Sequence, residues 1–121
     1  MNSLNQATFL LKIEKARAYT RLGDRVAAEV ESMKALGIVL EIAEKQEYQA
    51  AVRLFKTLIA LLQEGNYLQS AWAEIYVTLA ICHARLNNNS KKQEYFKMAH
   101  ELEPDNNDLR ELAIQHGFDW T

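Results

Sequence analysis

The sequence predicts an all-α protein, and three observations carry that prediction. The 121 residues include only one Pro and four Gly, too few turn formers for many short strands, so long helices joined by short connections are expected. About half of the residues (49%) are apolar. They recur at helical spacing and form none of the alternating β-branched runs that mark a sheet. A chain of this length is read as a single domain, 1–121, able to bury about two-thirds of the surface its unfolded form exposes.

Ser3 and Gln6 have capping-box spacing, which starts a first helix. Gly23 followed by Asp24 reads as a stop and then an N-cap, ending that helix near Leu22. A second helix runs to about Lys45, with Gly37 inside it at a cost of about 1 kcal/mol relative to Ala. A third, from about Tyr48 to Gln63, presents Tyr48, Ala51, Phe55, Leu58 and Leu62 on one face. Gly65 and Asn66 close it. In the fourth, Leu68, Trp72, Ile75, Leu79, Cys82 and Leu86 alternate steps of four and three, a continuous helical stripe. Asn87, Asn88 and Asn89 form a turn, Ser90 and Gln93 repeat the capping-box spacing, and Pro104 stops a fifth helix. A last helix from about Asn106 to Gln115 ends at Gly117, leaving the apolar tail FDWT. In that helix Leu109, Leu112 and Ile114 are available to pack, with Asn107, Arg110 and Gln115 outward.

The net charge of −2 makes neither nucleic acid nor an anionic membrane an electrostatic default. Its distribution is uneven. Lys12, Lys15, Arg17, Arg21 and Arg25 make the first quarter basic, while Glu101, Glu103, Asp105, Asp108, Glu111 and Asp119 make the tail acidic. The lone Cys82 has no internal disulfide partner, the opening MNSLNQATFLLKIEK has no basic region before its apolar run, and no apolar stretch reaches the roughly 20 residues that span a bilayer. A cytoplasmic protein without membrane or nucleic-acid partners is expected.

Ala73 to Asn106 is a 34-residue unit, AEIYVTLAICHARLNNNSKKQEYFKMAHELEPDN. Tyr76, Leu79, small Ala80, His83, Phe96, Ala99 and closing Pro104 sit where a pair of antiparallel helices would need them. In these positions the unit resembles a tetratricopeptide repeat, with His83 where a larger ring is usual. Ser32 to about Gln63 matches the same pattern loosely, with Ile38, Val39 and Ile42 in one helix and Ala51, Phe55 and Leu58 in the next, but it has no closing Pro. Ala16, Tyr19, Gly23, Asp24 and Ala28 resemble the middle of a further repeat around its turn. The resemblance implies helix pairs stacked as a short right-handed solenoid with a C-terminal capping helix.

By the same resemblance, the first helices of the pairs line a concave groove for a peptide. The groove would include Ile13, Arg17, Arg21, Glu74, Val77, Ile81 and Arg85. Arg17 and Arg21 lie one helical turn apart, and paired guanidinium groups favour an acidic partner. The plainer reading of these arginines is a solvated helix face. Members of the family that clamp the terminal carboxylate of chaperone tails use Lys and Asn. Here Ile13, Arg17 and Glu74 stand where Lys would be expected, which argues against that ligand.

Catalytic groups are few. Cys82 and His83 are adjacent on a helix and point about 100° apart, so they form no nucleophile and base pair. His83 reads as a packing residue. His100 and His116 stand alone, with no zinc-site spacing and no glycine-rich phosphate loop. No enzyme activity, metal or cofactor is expected, and a non-catalytic adaptor or scaffold for another protein is the leading reading.

The alternative is a homodimer or assembly subunit. The run ALGIVLEIA (35–43) is apolar nearly all round its helix and demands cover on every side. Either the second helix is central, or Leu36, Val39 and Leu40, with Leu54 and Leu61 of the third helix, meet a second copy. Phe118 and Trp120 of the tail either fold back or dock in a neighbour.

Overall fold

A computed structural model of the protein describes residues 3–121. The helices are α1 (Ser3–Arg21), α2 (Arg25–Glu44), α3 (Tyr48–Gly65), α4 (Trp72–Arg85), α5 (Asn89–Leu102) and α6 (Asn107–Gln115), with one 3-10 turn at Gln69–Ala71. No strand occurs among the described residues, so the chain is all-α. It divides into two compact units, Met1–Gln69 and Ser70–Thr121.

The positions of the breaks follow from one repeated device. After α1, Gly23 takes a left-handed conformation (φ 77°), and the Asp24 and Gly23 amides donate to the carbonyls of Tyr19 and Thr20 at 2.9 and 3.1 Å. After α2, Gln46 (φ 66°) does the same, with the Glu47 amide donating to Ile42 at 3.2 Å and the Gln46 amide to Ala43 at 3.0 Å. Asn87 (φ 59°) repeats it after α4 and Gly117 (φ 79°) after α6. In each turn the paired bonds satisfy carbonyls that the helix end would otherwise leave open. Asp24, Asn88 and Asn106 then cap the following helices, their side-chain oxygens accepting from the amides of Ala27, Lys91 and Leu109. The expected capping box at Ser90 is therefore corrected. Asn88 is the cap, because the left-handed Asn87 places it first in line for the new helix. The Ser3 side chain of the other capping box lies outside the described residues.

In the first unit, α1 packs along α2 and α2 along α3, with α1 also reaching α3. Phe9, Ile13 and Ala16 of α1, Ala28, Ala35, Val39 and Ile42 of α2, and Ala51, Phe55, Leu58 and Leu62 of α3 are buried. The small residues among them let the helix axes approach closely. α2 runs unbroken through Gly37. α3 ends on Asn66, whose left-handed backbone (φ 53°) puts its amide on the Leu62 carbonyl. Gly65 has a separate reason: a Cβ there would overlap the Tyr67 ring. Leu68 (φ 54°) lies before the 3-10 turn and outside α4, so the α4 stripe begins at Trp72.

In the second unit, α4 packs along α5, and α6 lies against α4. Apart from the exposed Pro104, the residues that carry the repeat resemblance form the hairpin's inner side. Ala80, Phe96 and Ala99 are wholly buried. The rings of Tyr76 and His83 stack on Tyr95, with centroids 6.0 and 5.5 Å away and planes within 15° and 11°. α6 buries Leu109 and Ala113, whereas Leu112 and Ile114, expected to pack, are exposed. The tail takes their place. Phe118 lies 5.5 Å from the Phe96 ring, Trp120 meets His100 edge-on at 4.9 Å, and the Trp120 indole donates to the Pro104 carbonyl at 2.9 Å.

Candidate protein-binding surface

Each unit begins with a helix that leaves one line of side chains outward. On α1 this line is Leu10, Glu14, Arg17 and Arg21, spaced four, three and four, and all but Arg17 are exposed, Arg17 being half-buried. On α4 it is Glu74, Thr78, Ile81 and Arg85 at the same spacing, with Glu74 and Arg85 exposed and Thr78 and Ile81 half-buried. Spacing of this kind puts each set on a single helical face. The two lines belong to different units.

Five of the seven groove candidates are thus accessible. Ile13 and Val77 are not. Each is an apolar side chain on the inner side of its helix, with 2% and 1% of its surface left to solvent, so both are core residues with nothing to offer a ligand.

The basic cluster near the N-terminus is largely spent within its own unit. Lys12 lies 3.7 Å from Glu31, which is buried and also faces Lys34 at 3.9 Å. Arg17 lies 3.7 Å from Glu64 of α3. Arg25 forks onto the end of α3, donating to the carbonyls of Gly65 and Asn66 at 2.7 and 2.8 Å. Its guanidinium also sits 5.0 Å above the Tyr67 ring and 3.2 Å from Glu29. The Tyr67 hydroxyl shares a 2.7 Å hydrogen bond with that of Thr20, tying α1 to the same corner. Lys15 and Arg21 remain exposed and make no ion pair among the described residues.

The proposed interface residues are redistributed too. Val39, Leu54, Leu61 and Trp120 are buried, and Leu36, Leu40 and Phe118 are half-buried. Val39, Leu54, Leu61 and Trp120 are already enclosed by their own chain, whereas Leu36, Leu40 and Phe118 keep part of their surface open. The apolar surplus emerges elsewhere, on Val26, Val30 and Met33 of α2.

Cys82 is buried, and loss of hydration pushes its thiol up from 9.0 to about 11, partly offset by a backbone hydrogen bond. It is held as an unreactive thiol at neutral pH. No cluster of three His, Cys, Asp or Glu side chains suited to a metal ion occurs among the described residues. Among the described residues no helix is long and apolar enough to cross a membrane. An open concavity of about 600 Å³ in the second unit is lined by His100, Pro104, Asp105, Asn107, Arg110, Trp120 and Thr121. It exists because the tail folds back, which the aromatic pair Phe118 and Trp120 could have signalled. Its opposed charges favour no ligand of either sign.

No protein-family model matches the chain, and neither a curated protein nor a solved structure matches it significantly.

Proposed function

We propose that this chain is a cytoplasmic, non-catalytic protein-binding module built of tetratricopeptide-like helix pairs stacked in a right-handed sense, with α6 as the terminal cap. Its ligand is an acidic segment of another protein, with at least one apolar side chain, lying along the outer face of α1. The observation that carries this reading is the pair Arg17 and Arg21, one turn apart on an accessible face with Leu10 in the same line.

The energetics favour exchange of partners on that face. The Arg17–Glu64 contact of 3.7 Å is longer than a hydrogen bond and largely solvated, and such a pair contributes about 0–1 kcal/mol. A ligand carboxylate that bonds both guanidinium groups in parallel geometry would gain more, because charge-assisted bidentate bonds are about twice as strong as neutral ones. Leu10 supplies apolar contact about two turns from Arg17 and three from Arg21.

The test is to tag the protein in its native cells and compare, by quantitative mass spectrometry, what co-purifies with wild type and with Arg17→Glu, Arg21→Glu. Loss of a specific partner on charge reversal, with the circular dichroism spectrum unchanged, is the expected result. Identical partners for both forms would assign these arginines to a merely solvated face.

A further inference from the structure

The outward side of α2 has an arrangement that neither unit's interior accounts for. Val26, Val30 and Met33 lie in one line at steps of four and three, and next in that line, four residues on, is Gly37. Val26 is 76% exposed, Val30 44% and Met33 59%. Gly37 sits in mid-helix, where Gly costs about 1 kcal/mol relative to Ala, and within the chain nothing needs its small size. A Cβ there would meet no atom within 4 Å, and its φ is not left-handed. A glycine with no internal reason, in line with three exposed apolar side chains, is a hole in a ridge. Such a hole suits the close approach of another helix.

From this we propose that the outer face of α2 is a self-association surface, on which a second copy of the chain packs its own α2 antiparallel. The inference rests on α2 alone and is independent of the arginine face of α1. The occupant follows from the pattern of the stripe. If the twofold axis passes between residues 31 and 32, Val30 meets Met33 of the second copy and Val26 covers Gly37 of the second copy, and the same two contacts recur on the other side. Every exposed apolar residue of the stripe is used and the hole receives a side chain, as an isologous contact requires. Helix dipoles oppose, which is favourable.

Charge points the same way. The flanks carry Arg25, Glu29, Lys34 and Glu41, two of each sign. Arg25 and Glu29 already pair at 3.2 Å, and Lys34 lies 3.9 Å from Glu31. Such a surface has no net field to select an acidic or a basic partner, but it tolerates its own image. One helix pair buries less than the roughly 1,200 Å² of a stable complex. The dimer is therefore weak and reversible.

Sedimentation velocity on the full chain from about 5 to 500 μM is the test, since weak dimers dissociate over such a range. Wild type is expected to move from monomer toward dimer as concentration rises. Gly37→Leu fills the hole from a position where an added Cβ meets no atom within 4 Å in the single chain, and it is expected to weaken self-association at least about tenfold with helicity retained. Val30→Lys is expected to do the same. A wild type that stays monomeric throughout overturns the proposal, as does a dimer that survives in both variants. The register has its own readout. A mixture of Val26→Cys and Gly37→Cys chains is expected to form the mixed disulfide faster than either forms with itself, and predominance of like pairs would overturn the antiparallel arrangement.

Discussion

Removal of the Arg25 side chain is the sharpest probe of how the first unit is held together. Arg25 begins α2, yet its guanidinium closes the end of α3, 40 residues away in sequence. It donates two hydrogen bonds to carbonyls that α3 cannot satisfy itself, covers the Tyr67 ring at 5.0 Å and meets Glu29 at 3.2 Å. Because the group is partly solvated, each carbonyl bond contributes about 0.5–1 kcal/mol, the ring contact about 0.5 and the i,i+4 ion pair about 0.3. Arg25→Ala should thus destabilise by about 2 kcal/mol, lowering the melting temperature by roughly 8 °C. Arg25→Lys keeps the charge but has no fork to reach two carbonyls at once, so it should lose about half as much. Urea denaturation followed by circular dichroism, with an unchanged dependence on denaturant, measures both. If Arg25→Lys and Arg25→Ala cost the same, the fork geometry is irrelevant. If both fall within about 0.3 kcal/mol of wild type, the clasp contributes nothing.

Three further outcomes are expected. Gly65→Ala should destabilise by about 1–3 kcal/mol through its clash with the Tyr67 ring, and Tyr67→Ala should make the same change nearly neutral in urea melts. Trp120→Ala should cost about 3 kcal/mol by removing a ring 3% exposed and leaving the Pro104 carbonyl without its indole donor, with near-ultraviolet circular dichroism reporting the loss of tail packing. Cys82 should resist thiol reagents at pH 8 in the folded chain and react in urea. Its thiol form is favoured by folding, so this contribution to stability is full below about pH 9 and is lost as pH rises through about 11.

Where the sequence was legible, local chemistry and fold agreed. Gly23 with Asp24, Pro104 and Gly117 mark real ends because left-handed backbone, N-capping and the missing proline amide act within a few residues. The stripe on α4 was readable from its period, and the packing of His83 from the resemblance of its surroundings to a helical repeat. Gln46 escaped notice because a left-handed Gln has no compositional signature, and the 3-10 turn before Trp72 because Leu68 continued a helical period that its backbone does not follow. Of the site, the pairing of Arg17 with Arg21 followed from a single helical turn, but the burial of Ile13 and Val77 depends on which neighbours close over them. The Arg25 clasp joins residues 40 apart and left no local signal. The surplus of apolar residues in α2 was plain, whereas the side on which it surfaces depended on where α1 and α3 pack.

Site-specific photo-crosslinking from Leu10 in native cells would reveal what the outer face of α1 binds. Leu10 is exposed and shares its line with Arg17 and Arg21, so a photoreactive side chain there should capture whatever lies along the outer face of α1. A crosslink to an acidic segment of another polypeptide, lost in the Arg17→Glu, Arg21→Glu background, is the expected result. A crosslink that persists unchanged after charge reversal, or one formed only with a second copy of this chain, would contradict it.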